Sequence, residues 1–198
     1  MNDKRAYRYD FNVTTPPVCP TIVDIDISSV NFSQNFTVLA CQRLTITTNQ
    51  TIPLGVTFIN YGTFNYSGSG TLFVNGTFIN YGTFNNTGNE VHIGNNFINN
   101  GILNNNSIAT LTMGAYSNAA TFKNTGVFNN LGQVFLLISS PYISTFYNYA
   151  GGRFINSNTL TINSPEVFNN ANGGGVCGSG TVTNTGTIIG TIGTACPP

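Results

Sequence analysis

The side chains able to do acid–base, metal or redox chemistry are few enough to take one by one. The chain of 198 residues holds six Asp plus Glu, six Lys plus Arg, one His and four Cys. Asp24 and Asp26 alternate along the segment IVDIDI and so share one strand face, where two carboxylates could hold a cation or share a proton. The simpler expectation is the polar side of an edge strand. Glu90 and His92 share a face in the same way, and there an ordinary surface pair is expected. Beyond residue 44 the only other charged residues are Lys123, Arg153 and Glu166. These are too widely separated for two of them to reach one substrate bond. Polysaccharide lyases and hydrolases need clustered carboxylates, or Arg and Lys beside a metal. No nucleophile elbow, phosphate loop or Ser/His/Asp set occurs either. The expectation is a protein with no catalytic residues, no metal and no cofactor.

The composition narrows the classes further. Charged residues make up 6% of the chain and the formal net charge is zero, against about 25% charged in an average domain. With no basic cluster beyond Lys4, Arg5 and Arg8, nucleic acid is excluded as a partner. No stretch approaches a transmembrane span, so no membrane insertion is expected. Hydrophobic residues at 40%, fifteen of them Phe, can build one core. The polar remainder is dominated by 31 Asn, 27 Thr and 22 Gly, a bias that signals a repeat.

Residues 57–68 read TFINYGTFNYSG and residues 77–88 read TFINYGTFNNTG, an offset of twenty. The template continues as NFINNGILNNNS from Asn96, TFKNTGVFNNLG from Thr121, TFYNYAGGRFINSN from Thr145 and VFNNANGG from Val167. Between the copies lies a third alternating piece: TLFV, EVHI, TLTM, QVFL, TLTI and TVTN. Each period thus holds three short β pieces, and none has helical periodicity. Gly and Asn at the piece ends suggest turns that tolerate left-handed backbone. Such strands cannot bury a face alone, but coils stacked about 4.8 Å apart can. The fold class expected is all-β: a parallel β-solenoid, taken by analogy as a right-handed β-helix, of about 20–25 residues per coil. Alternation places Phe58, Phe78, Phe97, Phe122 and Phe146 inward as one stack, and Phe64, Phe84, Leu103, Phe128 and Phe154 as a second. Asn60, Asn80, Asn99, Asn124 and Asn148 fall at equivalent corners, as do Asn65, Asn85, Asn104 and Asn129. Stacked amides at such places can bond coil to coil as ladders.

These G-x-F-x-N-x-G and F-N-N-x-G units resemble the Asn/Gly-rich parallel β-helix repeats of bacterial surface adhesins of the filamentous-haemagglutinin type, and of related viral and spore-surface proteins. The resemblance covers roughly residues 44 to 190 and implies architecture more than activity. It places the protein outside the cell or on a cell, spore or particle surface. The N-terminus has early charges but no apolar h-region, so no Sec signal is expected.

The organisation expected is an arm at residues 1–18 and a solenoid domain at residues 19–198. In the arm, Tyr7, Tyr9, Phe11 and Val13 alternate onto one face before Pro16 and Pro17. It could fold over its own first coil or add as a strand to a neighbouring subunit. Ile59, Tyr61, Ile79, Tyr81, Ile98, Tyr147 and Tyr149 form an outward apolar stripe on a charge-poor surface, a candidate subunit interface. Cys19 with Cys41, and Cys177 with Cys196, each lie about one coil apart, within reach of a disulfide. The pairs could staple the terminal coils or link one subunit to the next; a zinc site lacks both a C-x-x-C pair and histidines. The expected function is a self-assembling structural protein whose partner is itself, forming a fibre or shell. The alternative is a surface adhesin or module that binds a glycan or protein receptor. Ice binding is disfavoured because the face Thr71/Phe73, Glu90/His92, Thr110/Thr112, Gln133/Phe135, Thr159/Thr161, Thr181/Thr183 breaks its Thr-x-Thr array in three of six rungs.

Overall fold

A computed structural model describes residues 19–114, 118–137, 141–171 and 173–193. The N-terminal arm and Cys196 lie outside these residues. Every repeat forms three strands, and each strand pairs in parallel with its equivalent one coil away, giving about seven turns of β-solenoid. The first sheet contains Thr57–Asn60, Thr77–Asn80, Asn96–Asn99, Thr121–Asn124 and Thr145–Asn148. The second contains Thr63–Tyr66, Thr83–Asn86, Ile102–Asn105, Val127–Asn130 and Arg153–Asn156. The third contains Thr71–Val74, Glu90–Ile93, Thr110–Met113, Gln133–Leu136 and Thr159–Ile162. Register is kept residue by residue, as in Phe58↔Phe78 and Asn60↔Asn80.

Strict register puts like side chains in columns, and the lumen is built from them. Phe58, Phe78, Phe97, Phe122, Phe146 and Phe168 are fully buried. Successive rings lie 4.6–5.2 Å apart and within 4–13° of parallel. The coil spacing demanded by the backbone therefore coincides with the stacking distance of the rings. Phe64, Phe84, Leu103, Phe128 and Phe154 form the second column. Phe64 meets Phe58 and Phe78 edge-on at 78°. Leu72, Val91, Leu111, Val134 and Leu160 close the third side.

The repeat glycines do a different job from the one expected. Gly62, Gly82, Gly101 and Gly126, which follow the first-sheet strands, are not among the residues with positive φ. They are required by close approach: a Cβ on Gly82 would lie 2.1 Å from the Gly62 carbonyl oxygen. Backbone stacks on backbone at this corner, and any side chain would force the coils apart.

The first-to-second corner lengthens between Asn148 and Arg153, and the widest gaps between strands, from Met113 to Thr121 and from Leu136 to Thr145, lie between the third and first sheets. Side chains there take over bonds that the regular stack makes with backbone. Ser144 Oγ accepts from the Ala120 N–H at 3.1 Å, and the Glu166 carboxylate accepts from the Ser144 N–H. At the N-terminal end Cys19 and Cys41 form an intrachain disulfide with Cα atoms 5.2 Å apart. Of the two arrangements open from sequence, this pair takes the staple within one chain.

Two measurements test this packing. Phe97→Ala removes one ring from the continuous stack and should cost about 3–5 kcal/mol in equilibrium urea unfolding. The adjacent outward Ile98→Ala should cost far less, and equal losses would contradict the inward placement of Phe97. Reduction of Cys19–Cys41 should lower amide-exchange protection around residues 23–46 while leaving residues 77–130 protected.

Candidate functional site

The arrangement most dependent on particular residues is a set of amide ladders. In the first, Asn60, Asn80, Asn99, Asn124 and Asn148 each donate from Nδ2 to the Oδ1 of the next, ending on Asn170, at 2.8–2.9 Å. Each of the five also donates to a backbone carbonyl across the corner on the following coil: Thr83, Ile102, Val127, Arg153 and Gly175. A second buried ladder, Asn86, Asn105, Asn130 and Asn156, works the same way between the second and third sheets. Sequence reasoning did not find this one. Its signal was present in the Asn-Asn pairs, because alternation along a strand must turn one of two neighbours inward.

Asn65, Asn85, Asn104 and Asn129 do form a ladder, at 2.8–2.9 Å, but not at a corner. They stand mid-strand on the outward side of the second sheet, and they donate toward the N-terminal end, opposite to the inner ladders. The inner ladders start where the register partner one coil earlier is not Asn: Val38 precedes Asn60 and Tyr66 precedes Asn86. At these starting points Asn60 Oδ1, Asn86 Oδ1 and the Tyr66 hydroxyl are buried without a hydrogen-bond partner. Burial, and then the charge on Glu90, push the Tyr66 phenol above its ordinary value.

The titratable groups are placed apart and each has a local task. Asp24 pairs bidentately with Arg43 at 2.6 and 2.9 Å, and that bond holds its carboxyl below the usual range. Asp26 instead caps the short 3-10 turn Ile27–Ser29 by accepting from the Ser28 N–H. Glu90 and His92 depart from the expected surface pair: His92 is only 5% exposed although its strand position points outward. Its Nδ1 lies 3.7 Å from Glu90 Oε1, and Phe73 stands beside the ring. Contact with His92, aided by the Thr112 and Thr71 hydroxyls against partial burial, holds Glu90 below the usual carboxylate range. Glu166 is fully buried, Lys123 is exposed and Arg153 is half-buried, each in a different coil. Among the described residues no three His, Cys, Asp or Glu side chains gather where a metal could be held.

The outward stripe exists, but in two pieces. Ile59, Ile79 and Ile98 occupy successive rungs of the first sheet, half-buried, with Tyr61 and Tyr81 stacked beside them at 5.0 Å. Lys123 then follows Ile98 in register and breaks the column before Tyr147, which stacks on Tyr149. Tyr7, Tyr9, Phe11 and Val13 lie outside the described residues. Cys177 is disulfide-bonded. No helix among the described residues is long and apolar enough to cross a membrane.

These features define a parallel β-solenoid held by internal amide ladders. Compared with protein-family models, curated proteins and solved structures, the chain matches none.

The ladder and the acidic pair each predict a measurable response. Asn99→Ala strips Asn124 Oδ1 and the Val127 carbonyl of a donor, at about 1–3 kcal/mol for each buried group left unpaired. Asn99→Asp should be more stable at low pH than at neutral pH. An ionised carboxylate there faces the same two oxygens, so its folded pKa is raised and stability is lost as pH rises. Flat pH dependence in urea titrations of Asn99→Asp would contradict the ladder. For Glu90 the sign is opposite: its folded pKa is depressed, so its contribution is present at neutral pH and lost as pH falls below about 4.3. Glu90→Gln should flatten that acid limb.

Proposed function

We propose that this protein is a structural element that self-assembles, its rigid solenoid adding end to end into a fibre or shell outside the cytoplasm or on a cell, spore or particle surface. One observation carries this reading: the two ends of the solenoid leave strand edges and apolar side chains incompletely covered. At the N-terminal end Ile22 is 50% exposed, Val23 56% and Leu39 56%. At the C-terminal end the strands Thr181–Asn184 and Thr187–Ile189 are the outermost of their sheets, and Ile189 is exposed. Exposed strand edges are templates for further pairing unless they are blocked. A charge-poor surface adds little repulsion between subunits. The scatter of Glu90, Lys123, Arg153 and Glu166 over separate coils supports a role without catalysis. The resemblance of the repeats to those of surface β-helix proteins supports the destination.

A second reading, a glycan-binding surface, is favoured by a groove of about 490 Å³ between Ser67, Ser69, Thr87, Asn89 and Ile108. Hydroxyl and amide groups beside one exposed Ile suit a neutral sugar.

Negative-stain electron microscopy of the purified protein, beside a non-reducing denaturing gel, separates these readings. Assembly predicts filaments or sheets that run as single chains on the gel, because Cys19 and Cys41 are paired within the chain. Discrete monomers at high concentration, retained on a polysaccharide panel, would instead support the glycan surface.

A further inference from the structure

The first sheet carries an apolar strip on its outer side, facing away from the lumen. Ile59, Ile79 and Ile98 stand half-buried on successive rungs, and Tyr61 and Tyr81 stack beside them at the corner that leads into the second sheet. Tyr81 is 38% exposed. Past Lys123, which is in register with Ile98, the strip resumes with Tyr147 stacked on Tyr149. Four coil steps lead from the Tyr61 rung to the Tyr147 rung, about 19 Å at the ladder spacing. Aliphatic and aromatic side chains aligned on a charge-poor face mark a contact surface.

Residues 1–18, which lie outside the described residues, join the solenoid where this strip begins. They end at Cys19, and Cys19 is bonded to Cys41. Cys41 lies in the turn between Phe36–Val38 and Gln42–Ile46, one coil before Tyr61. The Tyr61 N–H donates to the Val38 carbonyl, and a Cβ on Gly62 would strike the carbonyls of Leu39 and Gln42. The disulfide therefore fixes the end of the arm at the corner where Tyr61 and Tyr81 stand. Val13 is six residues before Cys19 and Tyr7 twelve, reaches of at most about 20 and 40 Å. Tyr147 is five coils from the Cys41 turn, about 24 Å, so the whole strip is within reach. The apolar edge formed by Tyr7, Tyr9, Phe11 and Val13 is about 20 Å long when extended, the length of the strip.

The arm is poorly made for continuing the coil instead. Phe36–Val38 is the outermost strand of the first sheet. Any offset from 19 residues, as in Val23↔Gln42, to 22, as in the disulfide, puts Pro16, Pro17 or both opposite that strand. Successive N–H groups of a strand point to opposite edges, so one of two adjacent prolines always lacks the donor that faces the sheet.

We infer that the outer strip of the first sheet is the docking surface for the chain's own residues 1–18, with Val13 toward Tyr61 and Tyr7 toward Tyr147. The arm then runs along the solenoid and across its rungs, and apolar burial drives the contact. The tether favours the same chain over a neighbour, because a short linker holds its ligand at an effective concentration in the millimolar range. Lys123 interrupts the strip without opposing the contact, since its stem is apolar and its ammonium can reach water. Docking of the arm in this way does not depend on assembly.

Trypsin tests the arm directly in the full chain, because Lys4, Arg5 and Arg8 all lie within it. Cleavage after Arg8, followed by mass spectrometry, should be at least tenfold slower than in a synthetic peptide of residues 1–18. This protection should be the same across a hundredfold range of protein concentration. Ile79→Asp, at the central isoleucine of the strip, should restore cleavage to near the peptide rate. Leu131→Asp, an exposed apolar site at the second-to-third corner, should leave it slow. Should Ile79→Asp unfold, Phe11→Ser, with the same change made in the peptide, removes the contact from the side of the arm. Cleavage of wild-type protein at the peptide rate would overturn docking altogether. Protection that vanishes on dilution would put the arm on a second copy, and protection that survives both Ile79→Asp and Phe11→Ser would put it on another face. Either result overturns docking on the strip of the same chain.

Discussion

Everything in this molecule depends on the inter-coil distance of about 4.8 Å set by parallel backbone pairing. At that spacing a side chain's nearest neighbours are its own equivalents one coil above and below. A column is therefore stable only if its residue type can bond to copies of itself. Phe satisfies this by offset stacking and Asn by amide-to-amide hydrogen bonding. The inner Asn residues carry the harder task, because each corner turns a carbonyl of the next coil, such as those of Thr83, Ile102 and Val127, toward the buried amide column. A buried carbonyl must be paired. Asn has two amide hydrogens, one for the next amide and one for that carbonyl. Asp lacks the donors, and Gly has no side chain at all.

The same constraint explains what could be read from the residues and what could not. Period, strand pieces and inward Phe columns follow from alternation, which is local, and from self-similarity, which a single chain displays. The first Asn ladder follows too, since Asn60, Asn80 and Asn99 recur at one template position. The second inner ladder was obscured by Asn-Asn pairs, in which Asn85 faces out and Asn86 faces in. The role of Gly82 was misjudged because a glycine needed for close backbone approach looks, in sequence, like one needed for positive φ. Only three-dimensional stacking separates the two.

Charged residues show where local reading runs out. Spacing showed that Glu90 and His92 share a face, yet it could not show that His92 would be covered. Glu166 is the sharper case. A lone carboxylate in a charge-poor repeat has no sequence signature of burial. Its partner is the Ser144 N–H, beside a lengthened corner where the regular backbone ladder is interrupted. Position in the fold, rather than neighbours in sequence, decides its task. Asp24 and Asp26 diverge for the same reason: one meets Arg43 across the sheet and the other meets the amide of Ser28 along the chain.

A fold that propagates by self-complementary columns has no intrinsic length, so its limits must be written as breaks in the columns. At the N-terminal side Val38 and Tyr66 stand where Asn would otherwise continue, and the buried Oδ1 atoms of Asn60 and Asn86 mark those breaks. At the C-terminal side the breaks are of another kind, with Phe168 followed by Ile188 and Phe154 by Val176. Breaks of both kinds occur at both ends, since the amide ladders stop again at Asn170 and Asn156 and Leu44 precedes Phe64. The first kind of break leaves an acceptor that no apolar neighbour can satisfy, yet Val38 keeps it enclosed. The second leaves volume that an apolar neighbour can fill. That space is not purely apolar, because Asn156 and Cys177 line it beside Phe154 and Leu160.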